Sequence, residues 1–494
     1  MPLRTQGLDR TVSGRLSQRL LTAVSLTGIG SIVTLLVSSL AGLLIARNRG
    51  PSGYGVFVAV NLLVFVTSVF CSFGVPLALA KHAADEEERN NHEDIRRRNS
   101  TVFLLLLTFT LCISVGVAYN LPRFEQLLHV TVGRGFFYAL PFVLMCAVIS
   151  DCAYGIYTGL LHLKPVLLIT LSGPVGVIAY SASLRTGAPL PVWGAVAILY
   201  CVPGIVSLVC LWRDRLLGRP AKLTTLAPIL KDVFPAAAFT LFSVFSVSID
   251  RLVVGSQLGA AAVGSYAAAM LVVQAALRIP KNVAYLLVPA SSRIALGGDK
   301  KWLSFNEKTV KLFGLFAGIM TVILMLAPSV ILHLLFGPGF ASAGSVLFIF
   351  APGLIAAAIS VPFTSILTGS AHNRFVTYLL AGTCIPRVVL LWVFTRRWGL
   401  EGTAVATLIA DILLAALCVA VAKKLTMNFP FRALQQPLAM AVIAYSVGWI
   451  AVVLGSHELP AAALGAAVYA AAAWNFVTRL IEGESHSEPG MANV

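Results

Sequence analysis

A helix of about 20 apolar residues spans the hydrocarbon of a bilayer, and a chain with many such stretches has no soluble fold open to it. This chain has fourteen. Their limits fall near 21–45, 54–80, 100–119, 135–161, 165–183, 191–212, 233–256, 262–290, 312–336, 343–369, 375–395, 400–421, 436–454 and 461–478. Composition agrees: 58% of the 494 residues are hydrophobic and 11% are charged, against roughly 25% charged in a soluble domain. The expectation is an all-α integral membrane protein, which excludes soluble enzymes of every class.

Lys and Arg total 36 against 20 Asp and Glu, a net charge of +16. On a soluble chain that balance points to nucleic acid. Here no nucleic-acid partner is expected, because Lys and Arg of a membrane chain gather in cytoplasmic loops. The tail before the first stretch, the loops after the second, sixth and eighth, and scattered positions such as Lys164, Arg374 and Lys423 put 25 on one face. The opposite face carries 7: Arg47, Arg49, Arg123, Arg134, Arg185, Arg396 and Arg397. Both termini are therefore expected in the cytoplasm. The first apolar stretch, about 25 residues, exceeds the h-region of a cleaved signal peptide and reads as an anchor. All eight cysteines fall inside spans without CxxC or Cys/His metal spacing, so no metal or other cofactor is expected and packing is their role.

The chain compares with itself at an offset of 209. Residues 50–64 (GPSGYGVFVAVNLLV) align without gaps to 259–273 (GAAAVGSYAAAMLVV), pairing Gly50 with Gly259, Gly55 with Gly264 and Ala59 with Ala268. The same register pairs Ala195-Val196-Ala197 with Ala404-Val405-Ala406. A duplicated six-helix unit follows. The organisation expected is a basic tail over 1–20, one lobe over 21–215, a second over 216–425, an added helix pair over 426–480 and a tail over 481–494. Six is even, so the lobes are parallel repeats about an axis along the membrane normal, a transporter design that works by alternating access. No G-x-x-x-x-G-K-[ST] phosphate loop occurs, so the chain has no ATPase of its own.

Local motifs carry a family resemblance. Residues 46–59 (ARNRGPSGYGVFVA), then Phe73-Gly74-Val75-Pro76, Asp250-Arg251 with Gly264 and Tyr266, Leu335-Phe336-Gly337 with Phe340, and Gly399 with Gly402, Ala404, Ala406 and Thr407, follow in order over most of 25–425. This series resembles the polysaccharide flippase family of the multidrug/oligosaccharidyl-lipid/polysaccharide exporter superfamily. The resemblance implies a transporter, not an enzyme, that moves undecaprenyl-diphosphate-linked glycan (an O-antigen, capsule or exopolysaccharide unit) across the cell membrane. It implies membrane lipid, a polysaccharide polymerase and glycosyltransferases as partners. Where that family often has Asn in span eleven, this chain has Pro386-Arg387. Lipid II flippases and multidrug/cation antiporters of the same superfamily are the alternatives. A membrane polymerase or glycosyltransferase is disfavoured, because no sizeable extracytoplasmic loop is present.

Four basic residues fall on neither face: Arg251, Arg278, Lys281 and Arg387. Asp151, Asp250 and Asp411 are the intramembrane acids. Each such charge costs at least ~2.5 kcal/mol at the bilayer centre, so each is expected to face a partner or a wet cavity. Arg278 and Lys281, three apart, share a helix face suited to a diphosphate. Asp250 and Arg251 are adjacent and point about 100° apart, so each needs another partner. Arg387 and Asp411 fall at similar depth, which fits an ion pair; unpaired, Asp411 becomes a proton-coupling candidate. Arg251, Arg387, Arg47 and Arg49 are further substrate-binding candidates, and Asp250 and Asp151 further ion-coupling candidates.

Overall fold

A computed structural model describes residues 6–88, 92–184, 191–220, 227–294, 299–368, 374–425 and 431–485. The tail segments 1–5 and 486–494, and the loop positions Arg89, Arg185, Lys222 and His372, lie outside them. The described residues form α1 (Gln6–Ser72), α2 (Val75–Glu88), α3 (His92–Tyr119), α4 (Leu121–Leu128), α5 (Arg134–Gly159), α6 (Leu163–Leu184), α7 (Val192–Arg213) and α8 (Ala227–Leu258). After these come α9 (Ala260–Ile294), α10 (Asp299–Leu326), α11 (Pro328–Phe336), α12 (Gly344–Phe350), α13 (Gly353–Thr368), α14 (Arg374–Lys424), α15 (Gln435–Val453) and α16 (Glu458–Ser485).

Nine of the helices among the described residues are long and apolar enough to cross a membrane, or up to eleven if two bent pairs are counted as spans. Two of the nine, Ile32–Ser72 and Phe375–Lys424, run 41 and 50 residues, length for two crossings each at about 20 residues apiece. Each is interrupted by non-helical backbone, at Gly50 in α1 and at Trp398–Gly399 in α14. Gly50 has φ 67, a left-handed value that suits glycine, and Pro51 restarts the helix with the φ its ring imposes.

Among the described residues the seventh apolar stretch bends by 43° between Ser246 and Ser248, and three others expected as unbroken spans are broken or bent. The second stops at Phe73-Gly74, both at positive φ, and resumes as α2. The ninth divides at Ala327, ahead of Pro328. The tenth bends by 54° across Ala351-Pro352. Proline removes a helical N–H and crowds the preceding turn, which is why two of these breaks fall there.

Contacts divide the chain into two compact units, Met1–Gly264 and Ser265–Val494. At the heart of the first lies α5, which is apolar all round and packs against α2, α3 and α7; Phe136, Leu140, Leu144, Ile156 and Tyr157 are fully buried. Against α1, α2 and α4 lies α8. Near its start Asp232 accepts from Lys81 Nζ at 2.9 Å and meets His82 Nε2 at 3.3 Å. The hydrogen bond from Lys81 holds the Asp232 carboxyl below its usual range, and the same bond raises the Lys81 ammonium.

Within the first unit α1 and the start of α9 touch through their backbones. A Cβ added at Gly55 would strike the Ala260 carbonyl oxygen, and one added at Gly264 would strike the Pro51 carbonyl oxygen. Pro51 and Ala260 stand 209 apart, as Gly55 and Gly264 do. The contact is thus reciprocal, as across a two-fold axis. Gly50 and Gly259, paired by the same offset, share positive φ values of 67 and 83.

The second unit is built on α10, which packs against α13, α15 and α16. Tyr469 of α16 is buried with Val322, Leu326 and Ala444, so the last helix pair is seated on α10. Thr321 Oγ1 donates to the Ala351 carbonyl at 3.0 Å, which satisfies a backbone group at the α12–α13 bend. The two arms of α14 meet through Thr395 and Thr403, whose hydroxyls lie 2.8 Å apart and are buried.

Candidate functional site

The turn at Trp398–Gly399 sets the depth of two charges. Arg387 precedes Trp398 by eleven residues and Asp411 follows Gly399 by twelve. At 1.5 Å of rise per residue both lie roughly 17 Å from the turn, about half the roughly 30 Å thickness of a hydrocarbon core. Folding back of α14 brings Arg387 Nη1 to 3.7 Å from Asp411 Oδ1. Charge-assisted hydrogen bonds run about 2.7–2.9 Å, so this pair is loose. The Arg387 side chain is 14% exposed, and its Nε is buried without a hydrogen-bond partner. A guanidinium with an unspent buried donor is disposed to take a further anion.

Asp411 also faces the start of α13. A methyl group placed at Gly353 would lie 3.5 Å from Asp411 Oδ2. The 54° bend before α13 puts a helix N-terminus beside the carboxylate, and that end favours negative charge.

The cations of α9 belong to the same unit. Gln274, Arg278 and Lys281 are spaced i, i+4 and i+7 and share a face. Lys281 Nζ donates to Gln274 Oε1 at 3.4 Å, a long contact. Lys281 is half-buried and Arg278 exposed. The charges of Arg278 and Asp411 both act on Lys281. Leu277 and Pro280, on the adjoining side of α9, line an apolar cleft with Phe313, Ala317 and Leu354. In the second unit Arg387, Asp411 and Lys281, with Arg278 one turn away, thus lie within electrostatic reach of one another, and an apolar cleft runs along the adjoining side of α9.

In the first unit the candidates are dispersed. Asp250 is fully buried and accepts the backbone N–H of Arg251 at 2.8 Å. The Arg251 charge acts on Tyr54, and its Nε is buried without a partner. Asp151 acts on Tyr200, whose hydroxyl donates to Asn61 Oδ1 at 2.9 Å. Arg49 hydrogen-bonds the Tyr180 hydroxyl, and Asn48 Nδ2 donates to the Ser181 carbonyl at 2.9 Å. These bonds tie the end of α1's first arm to α6, an anchoring role. Arg47 is exposed.

All eight cysteines are free thiols, five of them buried. Among the described residues no three His, Cys, Asp or Glu gather as metal ligands. Sequence reasoning missed Gln274, although its i, i+4, i+7 spacing with Arg278 and Lys281 was there to be seen. It also missed the Asn61–Tyr200 bond, for which adjacency of distant spans leaves no local signal.

Residues 44–345 match the model of a family described as polysaccharide biosynthesis protein. Among solved structures, the chain is similar to a lipid II flippase MurJ in an inward closed conformation, with TM-score 0.71 and 15% identity over 92% of this chain and 99% of that one. It is similar to an inward-facing multidrug resistance MATE family transporter of the MOP superfamily, with TM-score 0.62 and 15% identity over 80% and 94%. A MOP superfamily transporter from Pyrococcus furiosus, described by a binding pocket of reversed polarity, matches with TM-score 0.54 and 15% identity over 81% and 95%. No curated protein matches in sequence. The fold is shared with these transporters.

Proposed function

The chain belongs to the polysaccharide biosynthesis protein family, and we propose that it flips a polyprenyl-diphosphate-linked oligosaccharide across the cytoplasmic membrane by alternating access. One observation carries this reading: Arg387, at mid-depth, keeps a buried donor unspent and pairs only loosely with Asp411, in the same unit as Arg278 and Lys281. A diphosphate is the ligand such cations suit, since Arg takes phosphate oxygens in a fork and Lys supplies a point charge. The apolar wall at Leu277, Pro280 and Leu354 offers a neighbouring surface for prenyl carbon.

Fourteen crossings, cytoplasmic termini, and lobes over 21–215 and 216–425 complete the proposal. The polymerase and glycosyltransferases that build and consume the glycan are its proposed partners. In this reading α15 and α16 are a support for α10. A lipid II flippase is the second reading, favoured by the match to MurJ along nearly the whole of both chains; its cargo has the same diphosphate and differs in the sugar. The three cations gathered about Asp411 (Arg387, Lys281 and Arg278) count against a drug-cation antiporter, which needs a site of opposite sign.

The test is transport in membrane vesicles loaded with lipid-linked oligosaccharide or lipid II. Arg278→Ala/Lys281→Ala is expected to lower the rate at least tenfold, about 1.4 kcal/mol of lost binding. Undiminished transport of both lipids would sink the role of these residues. Transport of lipid II in preference to the oligosaccharide selects the second reading.

A further inference from the structure

Asp411 stands where it competes with an incoming anion. Its Oδ1 lies 3.7 Å from Arg387 Nη1, its Oδ2 faces Gly353 at the start of α13, and its charge reaches Lys281. An anion that engages Arg387 and Lys281 meets Asp411 as a like charge at the same cations. The Asp411 side chain is 41% exposed, yet two negative groups sharing one set of cations repel at this range, and protonating one of them relieves the repulsion. The looseness of the Arg387–Asp411 pair and the idle Arg387 Nε show that Asp411 does not saturate the guanidinium.

We infer that Asp411 is a placeholder anion, which the diphosphate of the substrate displaces from Arg387 and which then takes up a proton. The inference rests on the diphosphate reading above and adds a linkage to it. Among the described residues, the charged groups facing Asp411 include Arg387 from the other arm of α14 and Lys281 from α9, with Arg278 one turn away on α9. No ionisable side chain comes from α12 or α13, whose sequences GSVLFIF and GLIAAAISVPFTSILT carry none. With the substrate absent, Arg387, Lys281 and the α13 N-terminus favour the carboxylate. With the substrate bound, the cations are spent on phosphate and the carboxyl is left with a neighbouring dianion, so protonation is favoured. One proton enters from bulk solvent onto an Asp411 oxygen, no covalent bond is broken, and transport becomes linked to pH. Asp411 is thereby a positioning residue, acting through Arg387 rather than on the lipid.

The test uses the full chain in nanodiscs with geranylgeranyl diphospho-N-acetylglucosamine as the probe, a diphosphate diester that is a dianion with no proton of its own to lose near pH 6. Calorimetric titration at about pH 6 in buffers of differing ionisation heat counts protons taken up per ligand bound. Wild type is expected to take up a large fraction of one proton. Asp411→Asn is expected to take up none and to bind roughly tenfold tighter, because the competing charge is gone. Asp411→Glu should restore uptake, which a merely structural role would not do. Binding by wild type without proton uptake overturns the linkage while leaving the diphosphate site standing. No binding by wild type overturns the site reading itself. The wild-type proton count stands whether or not a variant folds.

Discussion

Replacing Gly55 or Gly264 by Ala tests the reciprocal contact between α1 and α9. On propensity alone either change stabilises a helix interior by about 0.5–1 kcal/mol. Packing says the opposite. At each site the new methyl overlaps a backbone carbonyl oxygen, of Ala260 or of Pro51, and backbone cannot rotate aside as a side chain does. Overpacking of this kind costs about 3 kcal/mol at the upper end of its range. Each single variant is then destabilised by about 2 kcal/mol. Both overlaps are relieved by one separation of the same two helices, so the costs do not add. The double variant should fall well short of the ~4 kcal/mol sum, a coupling typical of residues in contact. Unfolding by SDS in mixed micelles, alongside thermal denaturation, measures all three. Gly116→Ala, with no atom within 4 Å of the added methyl, is the control and should be neutral or slightly stabilised. If Gly55→Ala and Gly264→Ala unfold at or above wild type, or if their costs simply add, the reciprocal contact is wrong.

Two other outcomes follow from the same geometry. Asp232→Asn should lower thermal stability at neutral pH, because Lys81 holds the Asp232 carboxyl below its usual range. A carboxyl depressed by folding stabilises above its unfolded range and loses that effect as the pH falls through its folded value, so wild type and variant should converge in acid; a gap unchanged down to strong acid refutes the role. Thr395→Val removes one partner of the buried 2.8 Å hydroxyl pair and should cost about 1–2 kcal/mol in SDS unfolding, with Thr395→Ser largely restoring it; equal stability of the Val and Ser variants refutes it.

The legible part of the fold was what recurs at short range or by sheer length. Apolar runs announce helices because lipid leaves a chain no other way to satisfy its backbone. The offset of 209 was visible as matched glycines at 50/259 and 55/264, and the structure gives both pairs a reason, one conformational and one steric. Helix breaks were harder. Pro328 and Pro352 mark two of them, yet Pro141 and Pro174 lie inside unbroken α5 and α6, because neighbouring helices can absorb a lost N–H. Phe73, at φ 40, carries no such marker. For the site, equal depth of Arg387 and Asp411 followed from helix rise alone. The looseness of their pair and the approach of Gly353 did not, since both depend on how α13 bends toward α14.

The helix breaks at Gly50 and at Trp398–Gly399 take one and two residues, and in the fourteen-span reading both lie on the outer side. Crossings joined as tightly as these show almost no water-soluble surface where they meet. Recognition at these two breaks has little to hold: no long loop to grip and few backbone groups to pair. Under the proposed function, a partner that meets the protein at these breaks would have to approach sideways, along exposed apolar rows such as Leu104, Leu111 and Val115 of α3. Such an encounter would be a meeting of membrane neighbours, governed by lateral diffusion in two dimensions and by lipid packing, instead of by capture from solution.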